Sequence, residues 1–382
     1  MKFSQIVNEV EPSLTRHLFN MAQEFDDVID LTLGDPDLEA PAELKRAACE
    51  AINDNKTHYS ANAGLANLRE IITGRVNDTY ENLNCDKSNI ILTVGGMEAL
   101  YLSLLTMLDE GDEVLIFAPY YVNYIQMVKM CKATPIIVDA YDKGFHIDKE
   151  TLQSFVSPKT VAIIINSPNN PTGDVLSYGV LKTVADVAKE NDLYVIADEV
   201  YKSLVFDGEF ISIAELIDTP KRLVIIDSMS KEYSMTGWRI GYAYANSEFI
   251  AAMTKLQENI VACAPLPSQY AMIRAYEDNV KNNYIVDEFR KRRNFICEKL
   301  DEIDKFSYFK PKGTFYVFVD ISQTGMKSLD FSRKLLEEKH VAVAPGISYG
   351  ENYDKYIRIA FTKKNHVLEI AMKRISDFVN SL

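Results

Sequence analysis

Five cysteines, Cys49, Cys85, Cys131, Cys263 and Cys297, are spread over 382 residues, and no two stand as C-x-x-C. An odd number at wide intervals argues against a disulfide framework or a zinc site. It fits a reducing cytoplasm, where such thiols are ordinarily small buried hydrophobes. Positive charge is also in deficit: 41 Lys and Arg against 55 Asp and Glu give a net charge of −14. Lys291-Arg292-Arg293 is too short for more than one face of a helix, so a nucleic-acid surface is not expected. No apolar run approaches a membrane span, and Met1 to Pro12 carries Glu9 and Glu11 without an apolar stretch, so neither a membrane anchor nor a signal peptide is expected. G-x-G-x-x-G and G-x-x-x-x-G-K are missing, which removes support from dinucleotide and nucleoside-triphosphate folds. There is no internal repeat and no low-complexity tract. Apolar mass is what the chain does have, at 47% hydrophobic against 25% charged residues. Two or three domains with large cores are the expectation.

The middle of the chain alternates strand-like and helical stretches. Asn89 to Val94 reads as a strand, Gly95-Gly96 as a turn, and Glu98 to Leu108 as a helix. Strands follow at Glu113 to Phe117 and Pro135 to Val138, with a helix from Val122 to Cys131 between them. Val161 to Ile165, Leu193 to Ala197 and Leu223 to Ile226 are continuous apolar runs, with a helical segment from Leu176 to Asn191 among them. Continuous rather than alternating apolar strands predict a mostly parallel sheet covered on both faces. Ligands bind beyond the carboxyl ends of such strands. Five strand ends here feed polar residues toward one crevice: Gly95-Gly96, Pro119 to Tyr121, Asn166 to Gly173, Asp198 to Tyr201, and Ser228 to Lys231. After about Asp278 the regular alternation stops. A charged helix from Asp287 to Asp301, strands at Phe315 to Val319 and Tyr356 to Phe361, and a closing helix from Asn365 to Leu382 predict a smaller α+β domain.

Lys231 stands just past an apolar strand, with Ser228 and Ser230 before it and Arg239 eight positions on. Alone it reads as a turn lysine. With its neighbours it suits a phosphorylated aldehyde cofactor: the amine forms a Schiff base, and the hydroxyls and guanidinium hold the phosphate. Asp198 ends the run Tyr194-Val-Ile-Ala, where an aspartate usually caps the next turn. A buried carboxylate would also keep a pyridine nitrogen protonated, and Tyr201 could bond the ring hydroxyl. Asn170 lies in S-P-N-N-P-T-G, a turn sequence that can present an amide to a ring oxygen. Free amides at the Gly95-Gly96-Met97 helix start suit an anion, and Tyr121 could stack on a ring face. Arg358 sits inside an apolar strand, so it should face an edge, a carboxylate partner or a ligand carboxylate.

With those residues in place, the chain resembles the fold-type I pyridoxal-phosphate enzymes, and within them the class I/II aminotransferases of aspartate/aromatic type. The motifs run in family order: L-T-L-G-D-P-D at 31–37, T-H-Y ending at Tyr59, the Gly-Gly turn, N-N-P-T-G, A-D-E-V-Y at 197–201, S-M-S-K with T-G-W-R-I-G-Y, K-G-T-F-Y at 312–316, and P-G at 345–346 before Arg358. The resemblance implies an α/β fold with a mainly parallel seven-stranded sheet plus a smaller α+β domain. Residues 1–44 would form the N-terminal arm and part of the small domain, 45–278 the large domain and 279–382 the small C-terminal domain. It implies pyridoxal 5′-phosphate on Lys231, Asp198 on the ring nitrogen, and Asn170 and Tyr201 on the ring hydroxyl. Tyr121 would stack, while Gly96, Met97, Ser228 and Arg239 hold the phosphate, with Tyr59 reaching in from a second subunit of a cytoplasmic homodimer. Arg358 and Gly34 would receive the substrate carboxylate. Some aspartate-preferring members carry an arginine soon after the lysine segment, or a lysine after the Gly-Gly turn. Here Asn259 to Pro267 has no basic residue and Met97 holds the other position. Both departures tilt the expected substrate toward neutral or aromatic amino acids and the matching 2-oxo acids. A C–S β-lyase on the same scaffold is the alternative. A regulator with an aminotransferase-like domain would need a DNA-binding module, for which the thirty or so residues before the first motif leave little room.

Overall fold

Each apolar run of the central segment is a strand in the computed structural model, which describes residues 2–80, 83–141, 145–217 and 220–382. In chain order the strands are β1 (Ile29–Asp30), β2 (Ile90–Thr93), β3 (Glu113–Ala118), β4 (Thr134–Asp139), β5 (Thr160–Asn166), β6 (Tyr194–Asp198), β7 (Leu223–Ser228), β8 (Gly241–Tyr244), β9 (Ser307–Tyr308), β10 (Tyr316–Asp320), β11 (Val341–Ala342), β12 (Ala344–Pro345) and β13 (Tyr356–Ala360). Seven of them form one sheet of order β2-β8-β7-β6-β5-β3-β4. Pairing is parallel from β7 through β4. Alternate residues enter different cores. Ile163, Val195 and Ile225 meet Val180 and Val184 of the helix Tyr178–Glu190, whereas Ile164, Ile196 and Val224 meet Ala99 and Leu102 of the helix Gly96–Met107 and Met253 of the helix Ser247–Ile260. Two buried faces explain the unbroken apolar runs, and each such side chain contributes about 1.5–3 kcal/mol of burial.

The strand β8 was not expected from the sequence. It runs antiparallel to both β2 and β7, so the sheet is mixed at that edge. Its first residue is Gly241, where a Cβ would lie 2.8 Å from the Asp227 carbonyl and 2.9 Å from the Gly96 nitrogen. A glycine required by close backbone approach interrupts the apolar pattern that marks the other strands.

A second, antiparallel sheet of order β12-β13-β10-β9 packs against the helices Asn283–Asp301, Ser328–Lys339 and Asn365–Val379. The N-terminal segment joins this part of the chain, because β1 pairs with β11 in parallel. The helix Leu14–Ala22 does the same, setting Leu18 and Ala22 against Leu336 and Ala342.

Arg292 and Arg293 of the helix Asn283–Asp301 are only 1% and 2% exposed. Arg292 bonds Asp37, Glu288 and the Thr362 carbonyl, at 2.7, 2.9 and 2.8 Å. Arg293 bonds Asp207 and the Pro311 carbonyl, at 2.7 and 2.6 Å. Full pairing is what allows two guanidinium groups to be buried side by side. Of the five thiols, Cys85, Cys131 and Cys297 are buried, and none is bonded to another. Among the described residues no helix is long and apolar enough to cross a membrane.

Candidate active site

A cavity of about 650 Å³ lies beyond the carboxyl ends of β3, β5, β6 and β7, closed on the far side by residues of β10 and β13. Every candidate read from the sequence lines it except Tyr59, whose side chain is 86% exposed elsewhere on the surface.

Lys231 occupies the short helix Met229–Glu232, which begins where β7 ends. The Ser228 hydroxyl starts that turn by accepting from the Ser230 amide at 3.2 Å. The Lys231 amine donates to the Gly34 carbonyl at 2.8 Å and lies 5.5 Å from the Phe315 ring centre. Burial lowers its pKa to about 8; Asp35 opposes that fall, while Arg358 and Arg239 add to it. An amine so placed is partly neutral near physiological pH, and therefore able to act as nucleophile and base.

Asp198 ends β6, on the strand next to β7. Its carboxylate is 4% exposed and accepts from the Tyr124 hydroxyl at 2.5 Å. Burial raises its pKa to about 6, with the Tyr124 hydrogen bond working against the rise. A buried acid held this way is poised for a cationic partner.

The opposite end of the cavity is built for an anion. Arg239 adopts a left-handed backbone, φ 54°, and its guanidinium donates to the carbonyls of Thr236 and Val94, both at 3.0 Å. It lies against Gly95, where φ is +78° and a Cβ would approach its Nη2 to 2.6 Å. Only glycine suits that position. The helix Gly96–Met107 starts there, and the amides of Gly96 and Met97 precede its first hydrogen bond, from the Glu98 amide to the Gly95 carbonyl at 3.2 Å. The Ser228 hydroxyl, 2.9 Å from that of Ser230, completes the cradle.

Arg358 approaches from β13. Its guanidinium donates to the Thr32 carbonyl and, at 2.9 Å, to Oδ1 of Asn170. The ring of Tyr316 stacks below it at 4.2 Å, and its Nε has no partner among the described residues. It forms no ion pair there either, although it is 4% exposed. Asn170 links the two halves of the cavity: its own amide is held by Asn166 at 2.8 Å, while its oxygen receives Arg358. The Tyr201 hydroxyl pairs with that of Tyr316 at 3.1 Å. Gly34 packs so closely on Tyr316 that a Cβ would fall 1.7 Å from the phenol oxygen.

Tyr121, Asn123 and Met97 form a side wall. Asn123 donates to the Met97 sulfur at 3.3 Å and to the Tyr121 hydroxyl at 3.2 Å; Tyr121 meets the same sulfur at 3.4 Å. Burial pushes the Tyr121 phenol well above its ordinary range. The sequence reading missed Tyr124, Asn123, Tyr349 and the helix carrying Ser13, Thr15, Arg16 and Phe19, all at or beside the cavity. Tyr316 was quoted in a motif without a role. No local pattern marks these residues: Asn123 and Tyr124 read as the start of a helix, and the others arrive from elements far away in the sequence.

The geometry agrees with the comparisons. The family model for aminotransferase class I and II matches residues 26–375. A probable aspartate aminotransferase of Methanocaldococcus jannaschii is 38% identical over 375 residues, covering 96% of this chain and 97% of its own. Aromatic-amino-acid aminotransferase 2 of Thermococcus litoralis is 36% identical, covering 98% and 97%. The crystal structure of aspartate aminotransferase from Thermotoga maritima superposes with a TM-score of 0.94 at 34% identity, covering 99% of this chain and 100% of that one. A β-lyase on the same scaffold finds no support in these comparisons.

Proposed function

The chain belongs to the class I and II aminotransferases, and from that premise we propose that its cavity moves amino groups between neutral or aromatic L-amino acids and 2-oxo acids. It is a transferase that uses pyridoxal phosphate. The observation that carries the reading is the convergence of the Lys231 amine, Asp198 on the adjacent strand and the unpaired Arg358 around one cavity.

The residues present fit the cofactor at both ends. A buried acid with a raised pKa suits its ring nitrogen, and the cradle that excludes a Cβ at Gly95 suits its phosphate. When bound, the cofactor supplies an electron sink for charge released at the substrate Cα. The chain's own groups do the rest. Lys231 would hold the cofactor through its amine and, when freed by the substrate, would serve as the base that moves the Cα proton. Asp198 keeps the ring nitrogen protonated, and Tyr124 keeps Asp198 ionised. The amides of Gly96 and Met97, the Ser228 hydroxyl and Arg239 grip the phosphate. Tyr121 would offer a ring face for stacking, and Tyr201 and Asn170 would hold the ring hydroxyl. Arg358 receives the substrate α-carboxylate as a fork beside Gly34, which turns the Cα–H bond toward Lys231.

The substrate preference rests on the wall of Met97, Leu100 and Tyr121, which carries no charge. Dimerisation would place the exposed Tyr59 at a neighbouring subunit's phosphate, and we include that contact in the proposal. Adding leucine, methionine or phenylalanine without an oxo acid should convert bound cofactor to its amine form, followed by absorbance. Aspartate turning over much faster than all three would overturn the preference. With a cysteine-type donor that carries a sulfur leaving group on Cβ, release of pyruvate and ammonia with the cofactor unchanged would overturn the transamination. Gly95→Ala should displace Arg239 and weaken pyridoxal-phosphate binding on the order of 10–100-fold. Pyridoxal, which lacks the phosphate, should bind to the variant nearly as it binds to the parent; an equal loss for both would remove the phosphate role.

A further inference from the structure

The two turns that carry Asp198 and Lys231 are tied to each other on the face turned away from the cavity. Their strands, β6 and β7, are parallel neighbours, and the ladder between them ends where the Glu199 amide donates to the Ile226 carbonyl at 3.0 Å. Past that rung the chain leaves β6 through residues 199–202, and leaves β7 through the helix Met229–Glu232. Each exit faces two ways. Asp198, Tyr201, Ser228 and Lys231 line the cavity, whereas Glu199, Lys202 and Asp227 are no part of its lining.

Those outward groups meet behind it. The Asp227 carboxylate receives the Lys202 amine at 2.8 Å, the Tyr242 hydroxyl at 3.0 Å and the Ser228 amide at 2.7 Å. Its side chain is 5% exposed and that of Lys202 28%. One carboxylate thus grips the residue that starts the Lys231 helix, while its cationic partner comes from the residue next to Tyr201. Glu199, the nearby acid on the β6 side, is engaged elsewhere: it accepts from Tyr80 at 3.2 Å and from Ser212 at 2.5 Å. A buried ion pair adds little net stability over apolar side chains of similar volume. What this one adds is a fixed distance between two turns that the ladder no longer joins.

We propose that Lys202 and Asp227 are a positioning pair for transamination, setting the separation between the turn of Asp198 and Tyr201 and the turn of Ser228 and Lys231. Neither touches the reacting atoms. They act through their chain neighbours, Tyr201 and Ser228, so that the groups holding the cofactor ring and the amine that reacts with it keep one register. The inference rests on the assignment of Asp198 and Lys231 given above. Arg358 arrives from β13, so the site for the substrate carboxylate is set independently of the pair.

The test compares the parent with Lys202→Met, Lys202→Arg and the double variant Lys202→Met/Asp227→Asn. In Lys202→Met holoenzyme kcat should fall on the order of 10–100-fold, with KM for the amino donor within about threefold of the parent. Lys202→Arg should recover part of the rate. Cofactor-free protein gives a second readout. The affinity for pyridoxal 5′-phosphate relative to pyridoxamine 5′-phosphate should fall about 10-fold in Lys202→Met, because only the aldehyde needs the Lys231 amine in place. Urea melts then separate positioning from stability. The double variant leaves no lone buried charge at the pair, so it should be more stable than Lys202→Met and no faster. Where Lys202→Met yields no folded protein, the same two readouts in the double variant decide. Turnover that returns together with stability in the double variant overturns the proposal, as does an unchanged affinity ratio or an arginine variant as slow as the methionine one. If Lys231→Ala turns over like the parent, the site assignment falls and the pair with it. If Lys231→Ala is inactive while Lys202→Met keeps the parent kcat, the pair alone falls.

Discussion

Lys231→Ala is expected to lower turnover by at least about 10⁴-fold, because one amine provides both the covalent attachment and the proton transfer. The variant should fold, since Lys231 makes a single hydrogen bond, to the Gly34 carbonyl. Circular dichroism and steady-state rates would check both halves, and turnover near the parent value would refute the assignment. A stability measurement separates this lysine from a structural one. Its pKa falls from 10.5 to about 8 through burial. Between those values the folded chain binds fewer protons than the unfolded chain, so stability rises with pH across that window. Below pH 8 burying the cation costs roughly 3 kcal/mol. Cofactor-free Lys231→Met should therefore resist urea better than the cofactor-free parent at pH 7, with the gap closing as pH rises from 8 toward 10.5. A structural lysine would show the opposite sign.

The chemistry-bearing residues most legible in the sequence are those that follow a continuous apolar run. Lys231 follows β7, Asp198 ends β6, and Asn170 follows β5; a two-faced buried strand leaves a signature in composition, and its carboxyl end is then a known place. Arg358 was legible for a related reason, as a charge inside an apolar strand. The partners of these groups were not. Tyr124 reaches Asp198 from 74 positions away, in the first turn of the helix Asn123–Met130. The N-terminal helix enters through packing on Leu336 and Ala342, a contact that local periodicity cannot announce. The strand β8 escaped because Gly241 answers to a backbone neighbour rather than to strand propensity. Nothing in the triplet Lys291-Arg292-Arg293 announces that two of its guanidinium groups are buried; that follows from tertiary pairing with Asp37 and Asp207.

Asp198→Ala is expected to reduce turnover by about 10³-fold or more, the effect of removing a buried charge that stabilises its opposite at the reacting group. Asp198→Asn should be nearly as poor, because the amide keeps the volume and loses the charge; Asp198→Glu should keep part of the rate if its longer chain still reaches Tyr124. The same carboxylate is a liability in the cofactor-free chain. Burial raises its pKa from 3.8 to about 6. The folded state thus binds more protons than the unfolded state between those values, and stability falls as pH rises through them. Above pH 6 the ionised group costs about 3 kcal/mol. Cofactor-free Asp198→Asn should accordingly be more stable than the parent at pH 7 and no more stable at pH 4, while its turnover is lost. In the holoenzyme the protonated ring nitrogen supplies the missing partner, so the stability gained on adding cofactor should be larger in the parent than in Asp198→Asn. Thermal melts with and without cofactor at pH 7 measure that difference, and an equal gain in both proteins would mean that Asp198 does not face the ring.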